Sequence, residues 1–220
     1  MRVALFCAAL ILLFIRPEML DFPNIFQMGW RGGFLWLIWI ILTISILPTI
    51  IPNRKIPIGG RKHFAYSYKP TGRPAVETAP NKGILISAIS WLAIIAALIA
   101  ALAISGRLSP QIILLLALGL TIVDYVFILF ICPFRVLFMK NRCCATCRIH
   151  NWDHLMICAP MAVFPGFFSI SLGLLALAAF AIWEIAARRR PHYFISKTNA
   201  NLNCVNCNDK MCLLHIKRKG

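Results

Sequence analysis

Acidic residues are scarce in this sequence, and the shortage excludes several kinds of chemistry. The 220 residues include 7 Asp and Glu against 23 Lys and Arg. The carboxylates are scattered, so no pair of them flanks a polar site as general acid–base hydrolysis requires. HExxH, nucleophile-elbow and P-loop patterns are also missing from the sequence. Ordinary hydrolytic chemistry is therefore not indicated, whereas the question of another enzymatic activity stays open.

Histidine is missing from the apolar runs. All five histidines lie in polar stretches of the chain: His63, His150, His154, His192 and His215. A b-type haem held in a membrane takes its axial histidines from within the spans, so intramembrane haem is not expected. One of the five, His63, has no cysteine near it in sequence, and we expect it to be a surface residue.

Long apolar blocks dominate what is present. Hydrophobic residues make up 60% of the chain and charged residues only 14%, whereas soluble domains average about 25% charged. The blocks predict an all-α, polytopic helical membrane protein with about four spans, a broken hairpin and a cysteine-rich polar tail. The division expected is a membrane domain over 1–187 and a basic tail over 188–220, with spans near 3–18, 34–51, 84–105 and 111–132 and the hairpin over 155–185.

The first apolar run is shorter than a typical membrane span. The first run, over 3–15, has 13 residues and reaches only about 20 Å as a helix, so it is either a short span or an interfacial helix.

Asp124 is the one acid well inside an apolar run. A carboxylate there needs a partner, which predicts either an interhelical hydrogen bond or an intramembrane polar site that relays protons or ions.

The excess of positive charge predicts the orientation and the partners of the chain. Its basic residues flank the apolar blocks and concentrate in the 53–82 loop, the 134–154 loop and the tail. By the positive-inside rule these segments and the N-terminus face the cytoplasm, and we expect a bacterial inner membrane. The basic loops would bind anionic lipid headgroups, and a membrane-protein partner is compatible with them. Nucleic acid is not an expected partner, because the charge follows the membrane pattern.

This orientation conflicts with a single crossing by the last apolar run. Over 155–185 the run has 31 residues, too few for two crossings, which need about 40. Pro160 and Pro165-Gly166 interrupt it. The charge pattern therefore favours a re-entrant hairpin that returns the tail to the cytoplasmic side. The alternative is one long tilted helix with the tail outside.

Cysteines form two clusters that could meet on the cytoplasmic side. The pairs Cys144-x2-Cys147 and Cys204-x2-Cys207 are two CxxC units, which together supply a tetrahedral four-sulfur site. Such a site would bind zinc as a structural staple or a [4Fe–4S] cluster for electron transfer. The alternatives are a redox protein that uses a thiol–disulfide couple and a scaffold subunit without metal. The reserve ligands are Cys143, Cys212, His150, His154 and His215.

Overall fold

The computed structural model describes residues 2–27, 29–51, 58–73, 82–130, 132–138, 147, 149, 152–203 and 206. The described helices are α1 Arg2–Ile15, α2 Gly33–Ile50, α3 Ile58–Arg61, α4 Lys82–Ile104, α5 Pro110–Leu129, α6 Pro133–Leu137, α7 Asp153–Cys158 and α8 Phe167–Arg189. Short 3-10 helices join several of them. The described residues form no strand, and their only bridge of the β type pairs Pro70 with Asn199.

The all-α, polytopic membrane architecture predicted from the apolar blocks is confirmed. Helices α2, α4, α5 and α8 are each long and apolar enough to cross a membrane. Helix α1 has 14 residues and reaches about 21 Å, shorter than a hydrocarbon core of about 30 Å. The fourth long helix is therefore α8, the second half of the broken run, and α1 is the short member of the set.

The described chain divides into two compact units by its contacts. Unit 1 comprises Met1–Ile46, Ser90–Asp124 and His154–Ala178, and unit 2 comprises Leu47–Ile89, Tyr125–Asp153 and Ala179–Gly220. Each unit thus takes its residues from three separate stretches, and the long helices contribute residues to both. The expected boundary at residue 187 is a different kind of division, based on composition, and it stays a prediction.

In unit 1, the first helix packs against α5. The guanidinium Nη1 of Arg2 lies 3.8 Å from Oδ2 of Asp124, and the same Nη1 donates a hydrogen bond of 3.3 Å to the carbonyl of Thr121. Phe6 lies beside Gly119, where an added methyl group would stand 3.6 Å from its ring. The small residue on α5 therefore leaves room for the aromatic ring on α1.

Unit 1 also buries the turn that breaks the last apolar run. This turn precedes α8, and a Cβ on its Gly166 would lie 2.8 Å from the backbone of Pro23. The rings of Phe22 and Phe168 are 5.5 Å apart. The Ser169 hydroxyl accepts a 3.0 Å hydrogen bond from the Gly166 amide. A side chain therefore satisfies the Gly166 amide at this turn, which is what a break within a membrane would need.

In unit 2, the two ends of the broken run meet. Trp152 precedes α7, and its indole nitrogen donates a 3.0 Å hydrogen bond to the carboxylate of Glu184 in α8. Its ring also packs edge-on against Phe180 at 5.3 Å. A single straight helix would hold residues 152 and 184 about 48 Å apart. The run therefore turns back on itself, and of the two alternatives for 155–185 the structure contains the hairpin.

Candidate functional site

The predicted metal ligands are only partly within the described chain. Cys147 belongs to unit 2 and is buried, with 7% of its surface exposed. His154 is buried in α7 and belongs to unit 1. The other predicted ligands lie outside the described residues: Cys143, Cys144, His150, Cys204, Cys207, Cys212 and His215. Among the residues that the structure describes, no three His, Cys, Asp or Glu side chains gather as a metal site. The four-cysteine site thus stays a prediction.

Cys147 is anchored by a buried lysine. Lys62 is fully buried, and its amino group donates a 2.7 Å hydrogen bond to the backbone carbonyl of Cys147. The same nitrogen lies 4.7 Å from the ring centre of Trp183 in α8 and 5.6 Å from that of Phe194. Aromatic faces and a carbonyl oxygen compensate a desolvated ammonium group in part, since each presents negative potential to it. Lys62 therefore joins the cysteine segment to the end of α8.

A compact turn places Lys62 in this position. Helix α3 is a single turn that ends at Arg61, which leaves terminal carbonyls that need donors. The buried hydroxyl of Ser67 lies 2.8 Å from the carbonyl of Arg61 and 2.8 Å from that of Phe64. The Phe64 amide donates to the Arg61 carbonyl at 3.0 Å. The chain therefore folds back directly after α3, and Lys62 lies within the fold.

His63 is buried beside Lys62, so the expectation that it is a surface residue was wrong. Only 5% of its surface is exposed, and its ring lies 3.9 Å from Phe64 and 5.3 Å from Trp183. Burial, with a smaller contribution from the charge of Lys62, lowers the pKa of His63 from 6.5 to about 4, against a backbone interaction with Thr49 that raises it. Neither ring nitrogen meets hydrogen-bond geometry with a described residue. The imidazole is therefore neutral at physiological pH.

The polar tail folds back on the same loop. Asn199 is fully buried; its side-chain oxygen accepts the amide of Lys69 at 3.2 Å, and its side-chain nitrogen donates to the carbonyl of Tyr193 at 2.9 Å. Ala200 donates its amide to the carbonyl of Lys69 at 2.8 Å. The amide nitrogen of the Asn201 side chain donates to the carbonyl of Ser67 at 2.9 Å. These bonds bring the residues that precede Cys204 to the 67–71 stretch.

One loop therefore contacts both cysteine-bearing segments. We name residues 58–73 the anchor loop. Near its start, Lys62 binds the backbone of Cys147. A few residues later, Ser67 and Lys69 bind the tail at Asn201 and Ala200. Both contacts belong to unit 2.

Asp124 has the partner that its position in an apolar run requires. Its carboxylate faces the guanidinium of Arg2 at 3.8 Å, and each side chain keeps about a quarter of its surface exposed. The pair joins α1 to α5 within unit 1. An ion pair of this kind accounts for a carboxylate in an apolar helix without any transport role. The relay function of Asp124 stays a prediction.

The buried positions of Lys62, His63 and Asn199 were not predicted from the sequence. A signal for the first two was present, because aromatic residues alternate directly after them at Phe64, Tyr66 and Tyr68. A loop that only binds headgroups has no need of three large rings, so the alternation indicates a packed segment. Asn199 lies in a run of small polar residues that carries no comparable signal.

Comparison with known proteins gives no relative from which a role could be transferred. The chain matches no family model, no curated protein and no solved structure.

Proposed function

We propose that Cys144, Cys147, Cys204 and Cys207 bind one metal centre, zinc or an iron–sulfur cluster, on one face of this membrane protein. The observation that supports the proposal is that the anchor loop contacts both the Cys147 backbone and the tail residues preceding Cys204. These two CxxC units are 56 residues apart along the chain. A shared site needs a fold that brings them to the same place, and unit 2 contains both segments.

Chain length makes the shared site feasible. Five residues separate Lys62 from Ser67, so their Cα atoms lie at most about 18 Å apart. Cys204 follows Asn201 by three residues, which adds a reach of about 10 Å. On the other side, the lysine side chain and the three-residue separation between Cys144 and Cys147 add further reach. These lengths are compatible with one site shared by the four cysteines.

Charge also favours this site. Four thiolates with one zinc ion carry a net charge of −2, which low-dielectric surroundings would oppose. Arg142 and Arg148 flank the first CxxC unit, and the chain as a whole has a net charge of +16. Nearby cations lower the pKa of cysteine thiols and so favour the thiolate form that binds metals. Zinc is the first candidate, because the Cys-x2-Cys-x4-Cys spacing of the tail differs from the ferredoxin run.

The proposed orientation places this site in the cytoplasm of a bacterium, at its inner membrane. The basic 53–82 loop, the 134–154 loop and the tail would then face inward, as the positive-inside rule requires. Thiols in that compartment stay reduced and available to a metal. A zinc centre would hold the hairpin ends and the tail together, whereas a cluster would transfer electrons to a membrane partner.

Metal analysis of protein purified without oxygen tests the proposal. We expect one zinc ion per chain, or iron and sulfide with broad visible absorbance. The variants Cys147→Ser and Cys204→Ser should each lose the metal, because a serine hydroxyl is a poor ligand for these ions. Cys7→Ser in α1 is the matched control and should retain it. Metal-free wild-type protein from such a preparation would refute both centres, and loss of metal in Cys7→Ser would refute the assignment of ligands.

A further inference from the structure

A polar pocket in unit 2 differs from the cysteine site in its chemistry. Its volume is about 270 Å³, and the residues that line it are Thr71, Arg73, Ser196, Lys197 and Asn203. Two cations, two hydroxyls and one amide form the lining, and no carboxylate is among these residues. The size is slightly below that of pockets for drug-sized ligands, at about 300–1,000 Å³, and therefore suits a small ligand or headgroup.

The walls of this pocket are held by backbone hydrogen bonds. Thr71 donates its amide to the carbonyl of Thr198 at 3.1 Å, and its hydroxyl donates to the carbonyl of Lys197. The bridge between Pro70 and Asn199 continues this pairing. Gly72 then turns the chain with a φ of +75°, a conformation that glycine adopts without strain. The two segments that carry the cations are therefore fixed to each other.

Apart from Thr71, the side chains that line the pocket are not used elsewhere in the described chain. Neither Arg73 nor Lys197 forms an ion pair with a described residue. The hydroxyl of Ser196 and the side-chain amide of Asn203 likewise have no hydrogen-bond partner among those residues, although the backbone amide of Asn203 donates to the carbonyl of Ala200. Cations and uncharged donors that converge without an acceptor create a positive potential, which attracts an anion. Among the described residues of 58–73 and 188–203, none is acidic and able to neutralise it.

We propose that this pocket binds a phosphate monoester. Such a group carries a charge of about −1.5 to −2 at neutral pH, which matches the two unpaired cations. Arg73 can bind two phosphate oxygens with its planar guanidinium, and Lys197 supplies a point charge. Ser196 and Asn203 add uncharged donors to the remaining oxygens. A phospholipid headgroup and a soluble phosphate share this chemistry.

Native mass spectrometry of the full chain in a non-ionic detergent tests the pocket and separates the two sources. The probes are phosphatidic acid, phosphatidylglycerol, phosphatidylcholine and inorganic phosphate. Preferential retention of phosphatidic acid over the other two lipids identifies a headgroup site. Saturable binding of inorganic phosphate without selectivity among the lipids identifies a soluble phosphate. Both results support the pocket only if the variants below remove the binding.

The variant Arg73→Gln/Lys197→Gln removes both cations, and we expect its affinity for the retained probe to fall at least about tenfold. Lys69→Gln/Lys82→Gln is the matched control, since it changes the charge equally at exposed residues of unit 2 that do not line the pocket. Ser196→Ala changes no charge and should weaken binding about threefold.

An unchanged affinity in the pocket variant would overturn the proposal, as would an equal loss in the control pair. If the double variant does not fold, Ser196→Ala decides, and wild-type affinity in that variant would then refute the site. Absence of binding by every probe would refute it as well. Failure of this site would leave the proposed metal centre untouched, because the pocket lining includes none of its cysteines.

Discussion

At the scale of single residues, unit 2 buries two adjacent basic residues. Lys62 and His63 are adjacent in sequence and both are buried beside Trp183. The free-energy cost of burying a charge is reduced in a different way for each residue. Lys62 donates to a carbonyl and lies over aromatic rings, whereas the lowered pKa of His63 keeps the imidazole neutral. Each solution predicts a measurable property.

The first prediction concerns His63 and acid. Its pKa is about 4 when folded and 6.5 when exposed, so the unfolded chain binds the extra proton between these values. The contribution of neutral His63 to the free energy of unfolding should therefore be complete above pH 6.5 and should fall by about 3 kcal/mol as the pH decreases to 4. Thermal unfolding in detergent across this range measures the loss. His63→Phe should flatten the dependence, whereas parallel curves for variant and wild type would contradict the assignment.

The second prediction concerns Lys62 and the accessibility of Cys147. Lys62→Met keeps an unbranched side chain, one atom shorter, but removes the charged donor to the Cys147 carbonyl. A hydrogen bond from a charged group contributes about 1.5–3 kcal/mol, so opening of the cysteine segment should become about tenfold more frequent or greater. Alkylation of Cys147, followed by peptide mass spectrometry, reports that rate. Lys69→Met, at an exposed position of the anchor loop, should behave as wild type; an unchanged rate in Lys62→Met would show that the bond does not hold the segment.

At the scale of elements, the hairpin of α7 and α8 depends on close approach at its turn. Gly166 is adjacent to the backbone of Pro23, and Phe22 packs on Phe168. On the same side of α8, the hydroxyl of Ser171 accepts a 2.8 Å hydrogen bond from the indole of Trp39 in α2. The turn is therefore held by two parts of unit 1 that are distant in sequence, and its glycine is required by space rather than by an unusual φ.

The third prediction tests this close approach. In Gly166→Ala the new Cβ would lie 2.8 Å from both the Cα and the carbonyl oxygen of Pro23, so the turn must move away. Overpacking of this kind costs about 1–3 kcal/mol, which should lower the unfolding temperature. Gly173→Ala in α8 is the control, because nothing lies within 4 Å of its added Cβ. A helix interior gains up to about 1 kcal/mol from that exchange. Equal stability of the two variants would contradict the packing at Pro23.

At the scale of the whole molecule, long-range hydrogen bonds decide where the polar segments lie. The contacts of Ser67 with Asn201 and of Lys62 with Cys147 join residues 134 and 85 positions apart. Helices α4 and α5 separate the anchor loop from the Cys147 segment, and the hairpin separates that segment from the tail. Two membrane crossings by α4 and α5, followed by a hairpin, would return all three to one side, which is also what the distribution of basic residues predicts.

The fourth prediction is a topology that reporter fusions can measure. Alkaline phosphatase becomes active only where its disulfides form, outside the bacterial cytoplasm. A fusion after Arg107, in the turn between α4 and α5, should be active, and a fusion after Asn203 should be inactive. Green fluorescent protein fused at the same two positions should show the opposite pattern. Active phosphatase at Asn203 would place the tail outside and would refute the shared cysteine site.

The sequence by itself determined the helical membrane architecture. Apolar blocks of the length of a hydrocarbon core can satisfy their backbone only as helices, so their positions predicted α2, α4 and α5 to within a few residues. Proline and glycine also marked the break between α7 and α8. These properties depend on residues that are neighbours in sequence, so a short stretch of the chain is enough to predict them.

Tertiary structure alone decided that the hairpin closes and that the anchor loop is buried. Trp152 contacts Glu184, and Lys62 contacts Cys147, because segments distant in sequence pack together. Composition does not predict which distant residues form such pairs. Lys62 and Lys69 are the same residue type in the same loop, yet one is buried and the other exposed. Their difference arises from the rings of Trp183 and Phe194, which reach the loop only when the hairpin returns α8 to it.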